Sequence, residues 1–157
     1  ILSLMSALSV SLQGASPPAE RNSSAFLLGE PQIEWALAQV ESGHLRRPDT
    51  TRGASGEVSR FQIMPEVCKS YSRSRNYSDP QVAWTVASRI LKDRHAWFIR
   101  SAGRQPTAFD LYVMWNKPGL YERVAFNRRR LPAQLLDVAK RFETLVHGAS
   151  IINLTSR

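Results

Sequence analysis

Prolines and glycines punctuate this chain where helices start and stop, and that punctuation constrains the fold more than any other feature. Pro31, Pro65, Pro80 and Pro132 each open a segment, and Gly43, Gly103 and Gly148 each close one. A proline suits the first helical position, where its missing N–H has no partner to lose. A glycine suits the position just past the end, where the chain turns left-handed. Segments bounded this way predict five or six helices and little strand.

The apolar spacing inside the segments agrees. Over residues 31–42, Ile33, Leu37 and Val40 fall on one helical face, joined by Ala36. A short helix begins at Pro65 and ends before "RSRNYS". A long one runs from Pro80 to about Ala102, with Asp79 as N-cap and Ala83, Ala87, Ile90, Leu91 and Phe98 on its apolar side. Thr107 and Asp110 have the spacing of a capping box, so "AFDLYVMW" starts a helix that is apolar nearly all round and belongs at the centre. The last helix starts at Pro132, turns Leu135, Val138, Ala139, Phe142, Leu145 and Val146 inward, and is expected to stop at Gly148. Residues 44–62 show no helical period and read as a long ordered loop or a small β-hairpin. A loop of that length in a compact domain is usually either functional or disordered.

Length and charge narrow the class. At 157 residues the chain suits one domain with a real core. No internal repeat is present. Its 21 Lys+Arg against 13 Asp+Glu give +8, which attracts a polyanion: nucleic acid, an anionic membrane surface or an anionic cell wall. The single Cys68 makes no internal disulfide and reads as a small buried residue. His44, His95 and His147 share no metal-ligand spacing, so neither metal nor cofactor is expected. The start, "ILSLMSALSVSLQGASPPAE", reads as a truncated signal-peptide apolar region with a small-residue cleavage site near Ala15; the alternative is an ordinary hydrophobic N-terminal helix. The run is too short to span a bilayer. Residues 1–28 are therefore set apart as signal remnant and linker, 29–148 as the domain, and 149–157 as a tail. Export, to the periplasm or outside the cell, is the expected localisation.

The chemistry centres on Glu41. A carboxyl in the last turn of a helix faces the negative end of the macrodipole, and neighbours such as Trp35 and Leu37 would desolvate it. Both effects raise its pKa, and a carboxyl kept protonated near neutral pH is what a general acid requires. On position alone, a solvent-facing glutamate at a frayed helix end is the stronger reading.

Glu41 is followed by "SG", then by "GEVSRFQIMP" at 56–65 and "VMWNKPG" at 113–119. This order resembles the lysozyme-like superfamily, most closely its soluble lytic transglycosylase and goose-type lysozyme group. The pattern there is Glu-Ser at a helix end, then Gly-x-x-Gly-Leu-Met-Gln-Ile-x-Pro, then Ala-Tyr-Asn-Ala-Gly. The resemblance covers about residues 30–147. It implies an orthogonal helical bundle with the long loop or small hairpin beside a cleft. It also implies cleavage of the β-1,4 bond between the sugars of peptidoglycan. Glu41 takes the position of the catalytic acid, with Ser42 after it. Gln62 takes that of the glutamine lining the sugar cleft, and Phe61 stands at the methionine. Trp115 and Asn116 match the Tyr-Asn pair that closes the cleft. Ser59 and Arg60 replace Gly-Leu, and Lys117 and Pro118 replace Ala-Gly. The tyrosine that should hydrogen-bond the acid has no clear match; Phe142 lies in roughly that region.

Glu57 stands where the pattern has a small apolar residue. Glycosidases generally use two carboxyl groups, whereas lytic transglycosylases resemble them with one. A cleft-facing Glu57 would permit hydrolysis; a loop carboxylate paired with Arg52 or Arg60 is the simpler role. Phe61, Trp115 and Tyr121 are candidate flat faces for sugar, with Gln62 and Asn116 as hydrogen-bonding groups, although core packing is the stronger reading for the aromatics, above all Trp84 and Trp97. Two other classes stay open: a non-catalytic wall-binding module and a nucleic-acid binder. "FNRRRLP" favours the last, but zinc-finger spacing and an aromatic-rich RNA motif are both missing. The expected partner is the glycan strand of peptidoglycan, met by a monomer without nucleic acid.

Overall fold

A computed structural model describes the backbone of residues 31–155 and the side chains of residues 31–148; the signal-like segment and linker at 1–28 lie outside the described residues. Six α-helices follow in order: α1 (Pro31–Ser42), α2 (Pro65–Tyr71), α3 (Pro80–Ala102), α4 (Ala108–Asn116), α5 (Pro118–Arg123) and α6 (Ala133–Thr155). A single 3₁₀ turn, Arg128–Arg130, precedes α6. Among the described residues the protein is mainly helical, and its one β element is an isolated antiparallel bridge between Val58 and Ile63.

The caps form as their chemistry dictates. The Asp79 side chain accepts from the N–H groups of Gln81 and Val82, and Gly103 ends α3 with φ at 68°. Thr107 and Asp110 close a reciprocal capping box on α4. Gly148 does not act as a stop: α6 continues to Thr155, through much of the segment read as a tail. A glycine costs a helix interior about 1 kcal/mol but does not break it, and "ASIINL" after it contains no proline.

The core gathers around α4, whose residues from Ala108 to Met114 are all buried. It packs against α3, α5 and α6, while α1 lies along α6 and α2 along α3. Ile33, Ala36 and Leu37 of α1, Val86, Leu91 and Phe98 of α3, and Phe142 of α6 meet in one buried cluster. Cys68 is buried, and burial pushes its thiol up to about 11.

At the N-terminal end of α4 sits a polar knot. Asp110 is fully buried. It accepts from Arg104 Nη1 at 2.6 Å, the Thr107 N–H at 2.9 Å and the Tyr121 hydroxyl at 2.6 Å, with Arg128 Nη2 at 3.3 Å. Burial pushes the Asp110 carboxyl up, but these partners outweigh it and hold it near 2. Arg104 stacks on Phe98 and Arg128 on Phe109. The knot thus joins the end of α3, α4, α5 and the basic turn, and so fixes how α4 is rotated in the core. Arg128, first of the three consecutive arginines, is therefore engaged with the core and is not part of a free basic stripe.

Candidate functional site

Glu41 lies in the last turn of α1, half-buried, with its carboxyl bonded to Tyr112 of α4. The Tyr112 hydroxyl donates to its Oε1 at 3.0 Å, and Trp115 lies within hydrogen-bonding reach of the same carboxyl. Desolvation pushes the Glu41 carboxyl up to about 7. The hydrogen bonds from Tyr112 and Trp115 pull against that shift, and the charge of Glu57 adds to it. Glu41 is thus a carboxyl that exchanges its proton close to neutral pH.

Tyr112 is the residue that sequence reasoning missed. The donor comes from α4, not from the last helix. Phe142, on α6, instead stacks against the Tyr112 ring with centroids 5.5 Å apart. The signal was available in the spacing: Tyr112, Trp115 and Asn116 stand at i, i+3 and i+4, one face of α4. Asn116, exposed at the helix end, lies within hydrogen-bonding reach of the Tyr112 hydroxyl. Burial, with Glu41 beside it, raises the Tyr112 phenol, so it stays a donor. Tyr112 and Asn116 also line a cavity of about 300 Å³ with Lys117, Leu120 and Leu135.

The loop before α2 is ordered by its own hydrogen bonds. Val58 and Ile63 exchange two backbone bonds, at 2.9 and 3.1 Å. Four residues span the tight turn between them. Ser59 and Gln62 adopt positive φ, 65° and 48°, and Gly56 lies at 91°. The Gln62 amide donates to the Ser59 carbonyl at 2.9 Å. The Glu57 carboxylate accepts from the Ser55 N–H at 2.9 Å. Both side chains converge on Gly53, where an added Cβ would collide with the Glu57 carboxylate and the Gln62 amide oxygen. Glu57 does not pair with either arginine: Arg60 forms a bidentate pair with Asp49 at 2.6 and 2.7 Å, and Arg52 reaches the Gly56 carbonyl.

Ser42 does not face a ligand. It is buried, and its hydroxyl donates toward the Arg60 carbonyl at 2.7 Å and the Ala38 carbonyl at 3.1 Å, so it ties the end of α1 to the loop. Two sugar-face candidates also change role. Phe61 has no exposed surface and packs on Trp84 at 5.7 Å. Tyr121 is equally buried, with its hydroxyl held by Asp110. Both sit where an aromatic ring gains more from core packing than from a wet cleft. Glu41, Trp115 and Asn116 are brought together with Tyr112. Glu57 and Gln62 form a second group on the loop, linked to the first by the charge of Glu57 and by Ser42. His44 is exposed beyond the end of α1.

Among the described residues no group of three His, Cys, Asp or Glu could hold a metal ion, and no helix is long and apolar enough to cross a membrane. With its raised pKa and the Tyr112 hydroxyl beside it, the half-buried Glu41 carboxyl offers proton transfer. Comparison of the chain with family models, curated proteins and solved structures returns no match.

Proposed function

We propose that the protein is an exported peptidoglycan-cleaving enzyme of lytic transglycosylase type on a lysozyme-like bundle, with Glu41 as general acid and then base. The observation that carries this reading is the Glu41 carboxyl itself: half-buried, hydrogen-bonded by Tyr112, and titrating at about 7. A second observation supports the resemblance. In "GEVSRFQIMP" the two glycine positions of the family pattern fall on Gly56 and Ser59, and both adopt left-handed φ. A backbone conformation that favours glycine, met by serine at some strain, is consistent with that pattern, although Gln62 in the same turn shares the positive φ.

In this mechanism the protonated Glu41 gives its proton to the oxygen bridging two sugars, and the bond to the anomeric carbon breaks. The resulting carboxylate accepts the proton of the muramyl C6 hydroxyl, whose oxygen closes on the anomeric carbon to leave a 1,6-anhydro end. Tyr112 holds the carboxyl in place and stabilises its charged form between the two steps. Asn116 and Gln62 offer amide groups to the sugars, and Trp115 offers a face. The +8 charge favours an anionic wall.

One observation favours hydrolysis as a second reading. Glu57 carries no arginine partner, and its charge is felt at Glu41. A carboxylate so placed could hold water for an inverting reaction. Mass spectrometry of purified peptidoglycan after incubation decides among these outcomes. Anhydro ends formed by wild type and lost in Glu41→Gln support the lyase. Reducing ends lost in Glu57→Gln support the hydrolase. Wall binding without turnover in any form makes the protein a binding module.

A further inference from the structure

The loop that carries Glu57 and Gln62 has a second face. Together with the segment between α2 and α3 it encloses a pocket of about 270 Å³, lined by Thr50, Thr51, Arg52, Arg75, Tyr77 and Ser78, with Asp49 in its wall. Three features of the pocket point to an anionic guest. Asp49 is held by Arg60 through both carboxylate oxygens, so it does not neutralise the other cations. Arg52 reaches only the Gly56 carbonyl, at 3.5 Å, and Arg75 forms no ion pair among the described residues. The Tyr77 hydroxyl is buried without a hydrogen-bond partner, a donor that costs free energy until an acceptor meets it.

We infer that this pocket is a binding subsite for a carboxylate of the peptide attached to the glycan strand. Two guanidiniums offer the planar forks that match a carboxylate, and the Tyr77, Thr50, Thr51 and Ser78 hydroxyls supply further donors. The location names the source of that carboxylate. Arg52 is followed directly by Gly53, on which Glu57 and Gln62 converge, so the pocket and the sugar-facing groups are two sides of one loop. On the peptidoglycan reading, the carboxylates carried by a strand lying beside Gln62 are those of its attached peptides. The inference rests on the peptidoglycan reading for its ligand, but not on Glu41 performing catalysis.

The test is a titration of the full chain with N-acetyl-L-alanyl-γ-D-glutamate, followed by NMR of the backbone amides. Amides of residues 50–59 and 75–78 should shift together. Arg75→Gln should weaken binding at least about tenfold, the loss of one charge-assisted contact, and Tyr77→Phe should weaken it severalfold. Both variants should bind glycan strands stripped of peptide as wild type does, and bind peptide-bearing strands more weakly. If the dipeptide shifts no amides in these segments, or binds Arg75→Gln as tightly as wild type, the inference is wrong. It is equally overturned if inorganic phosphate occupies the pocket and the dipeptide does not. Peptide binding without any cleavage of wall would leave the subsite standing and remove only the catalytic reading.

Discussion

Replacing Glu41 with glutamine should stabilise the fold, and only on the alkaline side. The folded-state carboxyl is raised from 4.5 to about 7, chiefly by desolvation. Below the unfolded value it is protonated in both states and costs nothing. As pH climbs from there, the unfolded chain ionises and the folded one resists, so stability falls until the folded value is passed and then levels off. At about 1.36 kcal/mol per unit, the full loss is about 3 kcal/mol. Glutamine keeps an oxygen for the Tyr112 hydroxyl and carries no charge to desolvate. Glu41→Gln should therefore match wild type at about pH 4 and exceed it by about 3 kcal/mol at about pH 8. Urea unfolding followed by circular dichroism at both pH values measures the gap. His95, whose pKa burial lowers, and Glu34, whose pKa burial raises, titrate in both proteins and cancel from the difference. A gap that is absent at alkaline pH, or unchanged at acid pH, would refute the claim that burial holds this proton. Such a trade of stability for a protonated carboxyl is what a site built for acid catalysis requires.

The other expectations concern the groups around that carboxyl. Tyr112→Phe removes a hydrogen bond that lowers the Glu41 pKa, so the alkaline limb of the pH–rate profile should move up by roughly half to one pH unit; an unmoved limb would separate Tyr112 from the acid. Asp110→Asn sets an amide N–H against donors from Arg104, Thr107 and Tyr121 in a buried site and should cost roughly 1–3 kcal/mol in urea unfolding. Because the Asp110 carboxyl is depressed to about 2, its contribution is present above its ordinary value of 3.8 and is lost as pH falls through 2; the variant should lack that acid limb of stability. Ser59→Val puts a β-branched residue at a φ of 65° and should destabilise by roughly 1–3 kcal/mol, whereas Ser59→Gly should be close to neutral.

The helices were legible because their signals are local. Pro31, Pro65 and Pro80 start helices, Asp79 and Thr107 cap them, and Gly43 and Gly103 follow their ends, each through bonds made within a few residues. The candidate acid was legible for the same reason, since the last turn of α1 can be read from the chain. Gly148 failed as a stop because a glycine permits termination without forcing it. The roles of Phe61, Tyr121 and Tyr112 were not local. All three are aromatic, and nothing in their own neighbourhoods says which packs and which donates. Phe61 is claimed by Trp84, Tyr121 by Asp110, and Tyr112 by Glu41, a partner 71 residues away.

The sequence by itself determined where most helices begin and where α1 and α3 end, which faces they bury, and that a carboxyl stands near the tip of the first one. Backbone caps and apolar periods act over one or two turns, so the chain states them outright. Tertiary structure decided that carboxyl's proton affinity and its hydrogen-bond donor. Desolvation and hydrogen bonding depend on which distant helix arrives beside Glu41 and at what rotation, and that is set only when α4 is locked into the core by Asp110 at its other end.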